Sequence, residues 1–340
     1  MRISTNLFHS QGLNSIQNHQ QNVLDAQLQL STGKKINAPS DDPVGLSQVH
    51  ALNRTMNTID QYAENGAYAK NQLAQEETAI TDSIESLQRV RELSIQMLNG
   101  TYSAENRQQT AEEIDQIIKQ QLSMMNYRNS DGELLFAGNS VNQQAAFIED
   151  PNNPGYYAYI GSPQGVAAAA TPEQAAEYNL ANYGARFVQI GFDDDNRLGA
   201  DDQGDAARVR ITDNGGKVFQ VDGNSTPAGV DANILNSLIV LRDSLLAGDP
   251  PPEAVVNDID SSLDQLNTVR AEIGGRQNRI ETQYNAGESF KLSLEERRME
   301  LEETDVVQGV TDLTKSQNAL QMAQQVFTKV NGMSLFDYLR

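Results

Sequence analysis

Residues 30–45 read LSTGKKINAPSDDPVG and separate two helical patterns. At the end of this segment, Asp42 can accept hydrogen bonds from the free N–H groups at a helix start. Pro43 suits the first helical position, where its missing N–H is not needed. Asp41 and Asp42 therefore indicate a helix cap rather than a metal site. The segment predicts a long helix that begins at Pro43.

The helix that follows carries a heptad pattern. Its apolar positions alternate in spacings of three and four residues, and they are Val49, Leu52, Met56, Ile59, Ala63 and Gly66, then Leu73, Ile80, Ile84 and Leu87. Lys70 and Glu77 interrupt one side of this seam, so we expect weaker pairing than in an ideal coiled coil. Asn99 and Gly100 predict the end of the helix.

The middle of the chain changes from helical to β-prone patterns. A second helix is predicted from Ala104 to Arg128, capped by Ser103 and folded back on the first. Short β-prone segments follow at 156–160 and 186–192. Residues 207–212 and 217–221 flank the turn sequence DNGG and predict a β-hairpin. Residues 139–229 are thus expected to form an inserted β-rich domain.

Helical periodicity returns in the last third of the chain. It runs from Ile234 to Leu245, stops at three prolines in 250–252, and restarts from Ile259 to Leu301. A shift of register near 302–305 predicts a hinge or boundary. The predicted fold class is mainly α with an inserted β-rich domain, an elongated rod of long coiled-coil helices from both ends. Its helical rod domain comprises residues 41–138 and 230–304.

The two terminal segments, 1–40 and 305–340, carry weak apolar stripes. Gln20 and Gln27 fill positions within the first stripe, so an isolated helix of this polarity is marginal in water. We expect both ends to be disordered or marginal in the monomer and to order when packed. Docking of the two tails on one subunit is the alternative. The candidate assembly interface is Leu13, Ile16, Val23, Leu30, Leu313, Leu320, Phe327, Val330, Leu335, Phe336, Tyr338 and Leu339.

Charge is distributed unevenly along the chain. The formal net charge is -21, yet residues 1–40 carry +2 and residues 305–340 carry 0, which leaves -23 for the middle. Near-neutral ends suit burial among identical copies, and the acidic middle suits exposure to solvent or simply solubility. An acidic chain argues against a nucleic-acid partner. No apolar stretch has the length of a signal peptide or a membrane span, so we expect no membrane partner.

No pattern in the sequence indicates catalysis. Cysteine is absent, and none of the three histidines lies in a metalloprotease or nucleophile motif. Acidic residues between 193 and 205 could suggest calcium, but Arg197 and Gly204 occupy positions where an EF-hand needs carboxylates. We expect no enzyme activity, no catalytic residue, no cofactor and no metal.

Several motifs resemble one known family. They are the opening MRIST at 1–5, residues 30–45, the stretch DGELLFAG at 131–138, and SLFDYL at 334–339. Together they resemble the bacterial flagellins over residues 1–140 and 230–340. Pro39, Pro43 and the terminal SLFDYL resemble, more narrowly, the members of that family at the junction between hook and filament.

The resemblance implies a secreted structural subunit that joins hook to filament in the extracellular flagellum. It also implies that the inserted β-rich domain, residues 139–229, is outward-facing. Its implied partners are copies of itself in a ring, the other hook-associated junction protein, flagellin, and an export chaperone of the flagellar type III apparatus. The family's chaperone site carries over to Leu313, Leu320, Phe327 and Val330. Two alternatives stay open at this point, a small flagellin of the bulk filament and a secreted adhesin.

Overall fold

The computed structural model describes residues 2–138, 140–161, 186–192 and 207–336. The chain forms two compact units. The terminal unit comprises Met1–Ile59 and Glu288–Arg340, and the central unit comprises Asp60–Gly287. The predicted fold class is confirmed in its main feature, because long helices from both ends of the chain flank a small region that contains strands.

The terminal unit is built from four helical segments. Helix α1 (Arg2–Thr32) packs against the last helix, α7 (Val306–Phe336), and the unit also contains the start of α2 (Pro43–Leu98) and the end of α6 (Glu253–Glu302). Asp42 caps α2 as predicted, since one carboxylate oxygen accepts the Val44 and Gly45 N–H groups at 3.1 and 2.8 Å. Near the start of α2 and the end of α6, the buried side chains of Met56, Ile59 and Leu294 form a small apolar cluster.

The predicted break between the last two helices is confirmed, with α6 ending at Glu302 and α7 beginning at Val306. The connection pairs with the segment that follows α1. The Lys35 N–H donates to the Glu302 carbonyl at 2.6 Å, and the Thr304 N–H donates to the Gly33 carbonyl at 2.9 Å. Gly33 has a φ of +70°, a conformation that glycine adopts without strain. These bonds place the end of α1 beside the start of α7.

The central unit packs α2 and α6 with α3 (Ala104–Met125) and α5 (Ile234–Leu246). The Ser103 cap of α3 is confirmed, because its hydroxyl accepts the Asn106 N–H at 3.3 Å. Lys70 and Glu77 face α6, through an ion pair with Glu281 at 3.4 Å and a 2.9 Å hydrogen bond from Gln277. The core includes Leu73, Ile80 and Leu87 of α2, Ile114 of α3, Leu238 and Leu241 of α5, and Ile259, Leu266 and Ile273 of α6.

Four short strands form two antiparallel pairs among the described residues. Strand β1 (Phe147–Glu149) pairs with β2 (Tyr157–Tyr159), and β3 (Phe187–Gln189) pairs with β4 (Arg208–Arg210). Strands within 156–160 and 186–192 are therefore confirmed. Because β4 pairs with the distant β3, the segment before the DNGG turn already has a partner.

The hairpin predicted across DNGG is wrong. Residues Gly215–Val218 form a one-turn helix, α4, instead of a second strand. Gly215 approaches the main chain of Phe136 so closely that a Cβ atom would lie 2.7 Å from the Phe136 carbonyl oxygen. Phe219 then enters the core, with ring centroids 5.0 Å from Phe136 and 5.9 Å from Phe147. Burial of this aromatic cluster outweighs the local turn preference.

Gln121 of α3 gives a prediction about stability. Its side chain is fully buried, and neither amide atom has a hydrogen-bond partner within the described residues. Such a group loses its hydration without compensation. We expect Gln121→Met to raise the free energy of unfolding by about 1–3 kcal/mol in urea titrations. The exposed neighbour Gln120 is the control, and Gln120→Met should have little effect; a lower stability for Gln121→Met would contradict the prediction.

Candidate assembly interface

The pairing of α1 with α7 is built from half-buried apolar side chains. Ile16, Val23 and Leu30 of α1, and Leu313, Leu320 and Phe327 of α7, are all partly buried. Two close approaches define the alignment, that of Gly12 to Phe327 and that of Gly309 to Leu30. A Cβ atom added to Gly12 would lie 2.6 Å from the Phe327 ring, and one added to Gly309 would lie 3.4 Å from Leu30. These positions are eighteen residues apart on each helix and run in opposite directions. The helices are therefore antiparallel with a constant register.

At four points this register places a large side chain opposite a small one. It sets Ile16 opposite Ala323 and Val23 opposite Ser316, and each of these residues is partly buried. The His9 ring meets Phe327 edge-on, with the ring centroids 5.4 Å apart. Large residues facing small ones allow two helices to interdigitate without voids. We call this contact the seam; it comprises Gly12, Ile16, Val23, Leu30, Gly309, Leu313, Ser316, Leu320, Ala323 and Phe327.

A second set of apolar residues on these helices faces solvent in the monomer. Its members, which we call the outward face, are all at least 49 % exposed: Leu7, Leu13, Leu24, Leu28, Val307, Val310, Met322 and Val326. Leu28 precedes Leu30 of the seam by two residues and so points about 200° away around the helix. Of the predicted interface residues, Leu13 belongs to this face. The sequence analysis predicted one apolar stripe on each helix, and the other residues of the outward face do not lie on those stripes.

The side chains of the remaining predicted interface residues lie outside the described residues. Val330, Leu335 and Phe336 belong to α7, but their side chains lie outside the described residues. Tyr338 and Leu339 lie wholly outside the described residues. The acidic stretch 193–205 also lies outside the described residues.

The connection between α1 and α2 is fixed by two carboxylates. One Asp41 oxygen accepts the Asn37 and Ala38 N–H groups at 3.0 and 2.9 Å. These bonds hold the pKa of Asp41 below its ordinary value, and the bond from Ala38 has the larger effect. Together with the Asp42 cap, they show that both acids organise the main chain. Within the described residues, no group of three histidine, aspartate or glutamate side chains could hold a metal ion.

No helix in the part of the chain that the structure describes is both long enough and apolar enough to cross a bilayer. The long helices alternate apolar and polar positions, as in the partly buried and exposed residues along α1. Such faces suit packing against other helices.

Known proteins with similar sequences match this chain from end to end. It is 25 % identical over 343 aligned positions to the flagellar hook-associated protein 3 of Escherichia coli (strain K12), covering 99 % of both chains. It is 26 % identical over 347 positions to the protein of the same name from Salmonella typhimurium, covering 100 % of both. A solved structure from Vibrio parahaemolyticus, described as a candidate flagellar hook-associated protein, has the same fold with a TM-score of 0.60. That match has 21 % identity and covers 77 % of this chain and 100 % of the other.

Two family models match the helical ends of the chain. The bacterial flagellin N-terminal helical region matches residues 3–141, and the bacterial flagellin C-terminal helical region matches residues 256–339. Together they span well over half of the chain and include the motifs at 30–45, 131–138 and 334–339. The chain belongs to the flagellin family.

Proposed function

We propose that this chain is a structural subunit of the extracellular bacterial flagellum that joins the hook to the filament. The observation that carries the proposal is the similarity, over the whole length of both chains, to two proteins named flagellar hook-associated protein 3. Pro39, Pro43 and the terminal SLFDYL also favour a junction subunit over a bulk flagellin. The role is structural rather than catalytic, since it depends on helical surfaces.

The terminal helices supply the surface for assembly. The seam pairs α1 with α7 within one subunit, and the outward face meets neighbouring subunits. Apolar side chains that are half exposed or more in the monomer gain stabilisation when a neighbour covers them. The near-neutral charge of residues 1–40 and 305–340 reduces repulsion between copies packed in a ring. Hook-associated protein and flagellin would contact the two sides of that ring.

An export chaperone would compete with α1 for the seam. Leu313, Leu320 and Phe327, which the family resemblance assigns to chaperone binding together with Val330, are partly buried on the side of α7 that faces α1. A chaperone that covers these residues must displace α1. It would thereby keep the two ends of the chain apart until type III export and prevent early assembly.

Purified protein distinguishes a junction subunit from a small flagellin of the bulk filament. We expect concentrated monomer, viewed by electron microscopy, to form no long filaments by itself, because a junction needs only a short ring between two other proteins. Filaments that grow from this protein alone would contradict the junction role and favour the flagellin alternative. Wild-type flagellin, treated in parallel, is the positive control.

A further inference from the structure

A buried ionic cluster lies in the central unit. Asp213 follows β4, and its carboxylate pairs with Arg276 of α6 at 2.7 Å and with Arg210 of β4 at 2.8 Å. The Asp213 and Arg276 side chains are only 4 % and 8 % exposed. Glu272 of α6, which is half exposed, lies 3.3 Å from Arg210 and 3.9 Å from Arg276. Two arginines thus balance two carboxylates.

Glu76 of α2 adds a third carboxyl group to this cluster. It is 1 % exposed, and neither carboxyl oxygen accepts a hydrogen bond from any donor in the described residues. The charged groups that face it are Asp213 from the loop after β4, Arg210 from β4 and Arg276 from α6. An ionised carboxylate without donors is costly to bury, and a neighbouring carboxylate adds repulsion. The two arginines already balance Asp213 and Glu272, so an ionised Glu76 would give the cluster a net negative charge.

The two neighbouring carboxyl groups are shifted in opposite directions. Burial, and then the negative charge of Asp213, raise the pKa of Glu76 well above its ordinary value of 4.5. Burial alone would also raise the pKa of Asp213, but the charges of Arg210 and Arg276 outweigh it and lower that pKa to about 2. Asp213 is therefore the charged member of the pair, and Glu76 is the one that can hold a proton between them.

We propose that Glu76 is protonated in the folded subunit and is a proton-dependent latch that holds the β4–α4 segment against α2 and α6. The Glu76 O–H donates to the Asp213 carboxylate, and the proton is taken up from water when the chain folds. When the proton leaves, two buried carboxylates repel each other between α2 and the segment. The segment then loosens, and with it the main-chain contacts that it makes.

Those contacts connect the latch to the DGELLFAG stretch. The Gly138 N–H donates to the Asp213 carbonyl at 3.3 Å, and the Gly215 N–H donates to the Phe136 carbonyl at 2.8 Å. Ala137 and Asn214 form a bridge between the two segments. Release of Asp213 therefore exposes main-chain groups on both segments to water.

The sign of the pH dependence follows from the direction of each shift. Glu76 holds its proton more tightly in the folded chain, so its contribution to stability is full below pH 4.5 and is lost as the pH rises from there towards the raised pKa. Asp213 acts in the opposite direction. Its contribution to stability is present above pH 3.8 and is lost as the pH falls towards 2. The Glu76 latch therefore weakens as the pH rises.

Urea unfolding of the full-length chain between pH 5 and 9 tests the latch. Glu76→Gln keeps the shape of the side chain and lets its amide donate to Asp213 at every pH. We expect the wild-type unfolding constant to rise with pH more steeply than that of Glu76→Gln, by up to about tenfold per pH unit, which corresponds to one proton. Glu85→Gln, at an exposed position of the same helix, should match the wild type. Equal slopes for the wild type and Glu76→Gln would overturn the proposal.

Hydrogen exchange of the wild type alone gives a second test that needs no variant to fold. We expect the protection of the Gly138 and Gly215 amides to fall between pH 6 and 9, relative to core amides of α5 such as that of Leu241. Both rates are corrected for the intrinsic effect of pH on exchange. Protection at Gly138 and Gly215 that stays constant relative to α5 would overturn the latch.

Discussion

Replacing Leu24, Leu28 and Val326 together with Gln should abolish incorporation of the subunit into the flagellum while leaving its monomer folded. These side chains are 55, 49 and 60 % exposed in the monomer, so polar replacements there cost little folding stability. Covering the exposed half of each side chain with a neighbour contributes about 0.8–1.5 kcal/mol, half the value for full burial. Loss of all three would weaken each contact between subunits by about 2.4–4.5 kcal/mol, which is a factor of roughly 50 to 2000 in association constant.

The measurement is a count of filament-bearing hooks in cells that carry only the triple variant, with circular dichroism of the purified monomer as the test of folding. The control removes the same number of exposed apolar side chains from the central unit, with Ile95, Leu98 and Leu246 each changed to Gln. We expect filaments in the control and bare hooks in the triple variant. Normal filaments in the triple variant would show that the outward face does not contact neighbours.

Phe219→Ala should cause a large loss of stability in the central unit. Phe219 is fully buried and meets both Phe136 and Phe147 edge-on. Its removal leaves a cavity between main-chain segments that cannot collapse, because the Gly215 N–H remains bonded to the Phe136 carbonyl. We expect a loss of about 3–5 kcal/mol in the free energy of unfolding.

Urea titration followed by circular dichroism measures this loss. Phe192→Ala is the matched control, since Phe192 is 50 % exposed and contacts Tyr62 edge-on at 5.2 Å. Its removal should cost about 1 kcal/mol, as for one exposed aromatic pair. If the two variants lose the same amount, the aromatic cluster is not the centre of the core.

Helix boundaries could be predicted from the sequence because their signals are local. Asp42 and Pro43 mark the start of α2, and Ser103 marks that of α3, since the capping oxygen and the N–H groups it accepts are within three residues. The prolines at 250–252 likewise fall between α5 and α6. The apolar period of α2 predicted its buried side for the same reason. The pattern of one helix is enough to identify the side that it buries.

Features that depend on distant parts of the chain could not be predicted in this way. The DNGG turn indicates a hairpin locally, yet the pairing of β4 with β3 and the approach of Gly215 to Phe136 decide its structure. Glu76 follows an ordinary polar stretch of α2, and only the fold brings it to Asp213 and Arg276. Sequence periodicity predicted the six large apolar residues of the seam but not the four small ones opposite them. It also could not tell contacts within a subunit from contacts between subunits.

The two ends of the chain therefore have separable surfaces. The seam explains how α1 and α7 pair in one subunit, with Phe327 seated on Gly12. The outward face explains how paired ends could pack among copies. This division makes the outward face the better target for variants, because changes to the seam would disturb the monomer as well.

Deletion of the gene in the bacterium that carries it tests the junction role most directly. Electron microscopy counts hooks with and without filaments, and an immunoblot measures flagellin in the culture medium. A junction subunit predicts hooks that bear no filaments and flagellin released unassembled into the medium, with both defects reversed by the wild-type gene. Filaments of normal number and length in the deletion strain would contradict it.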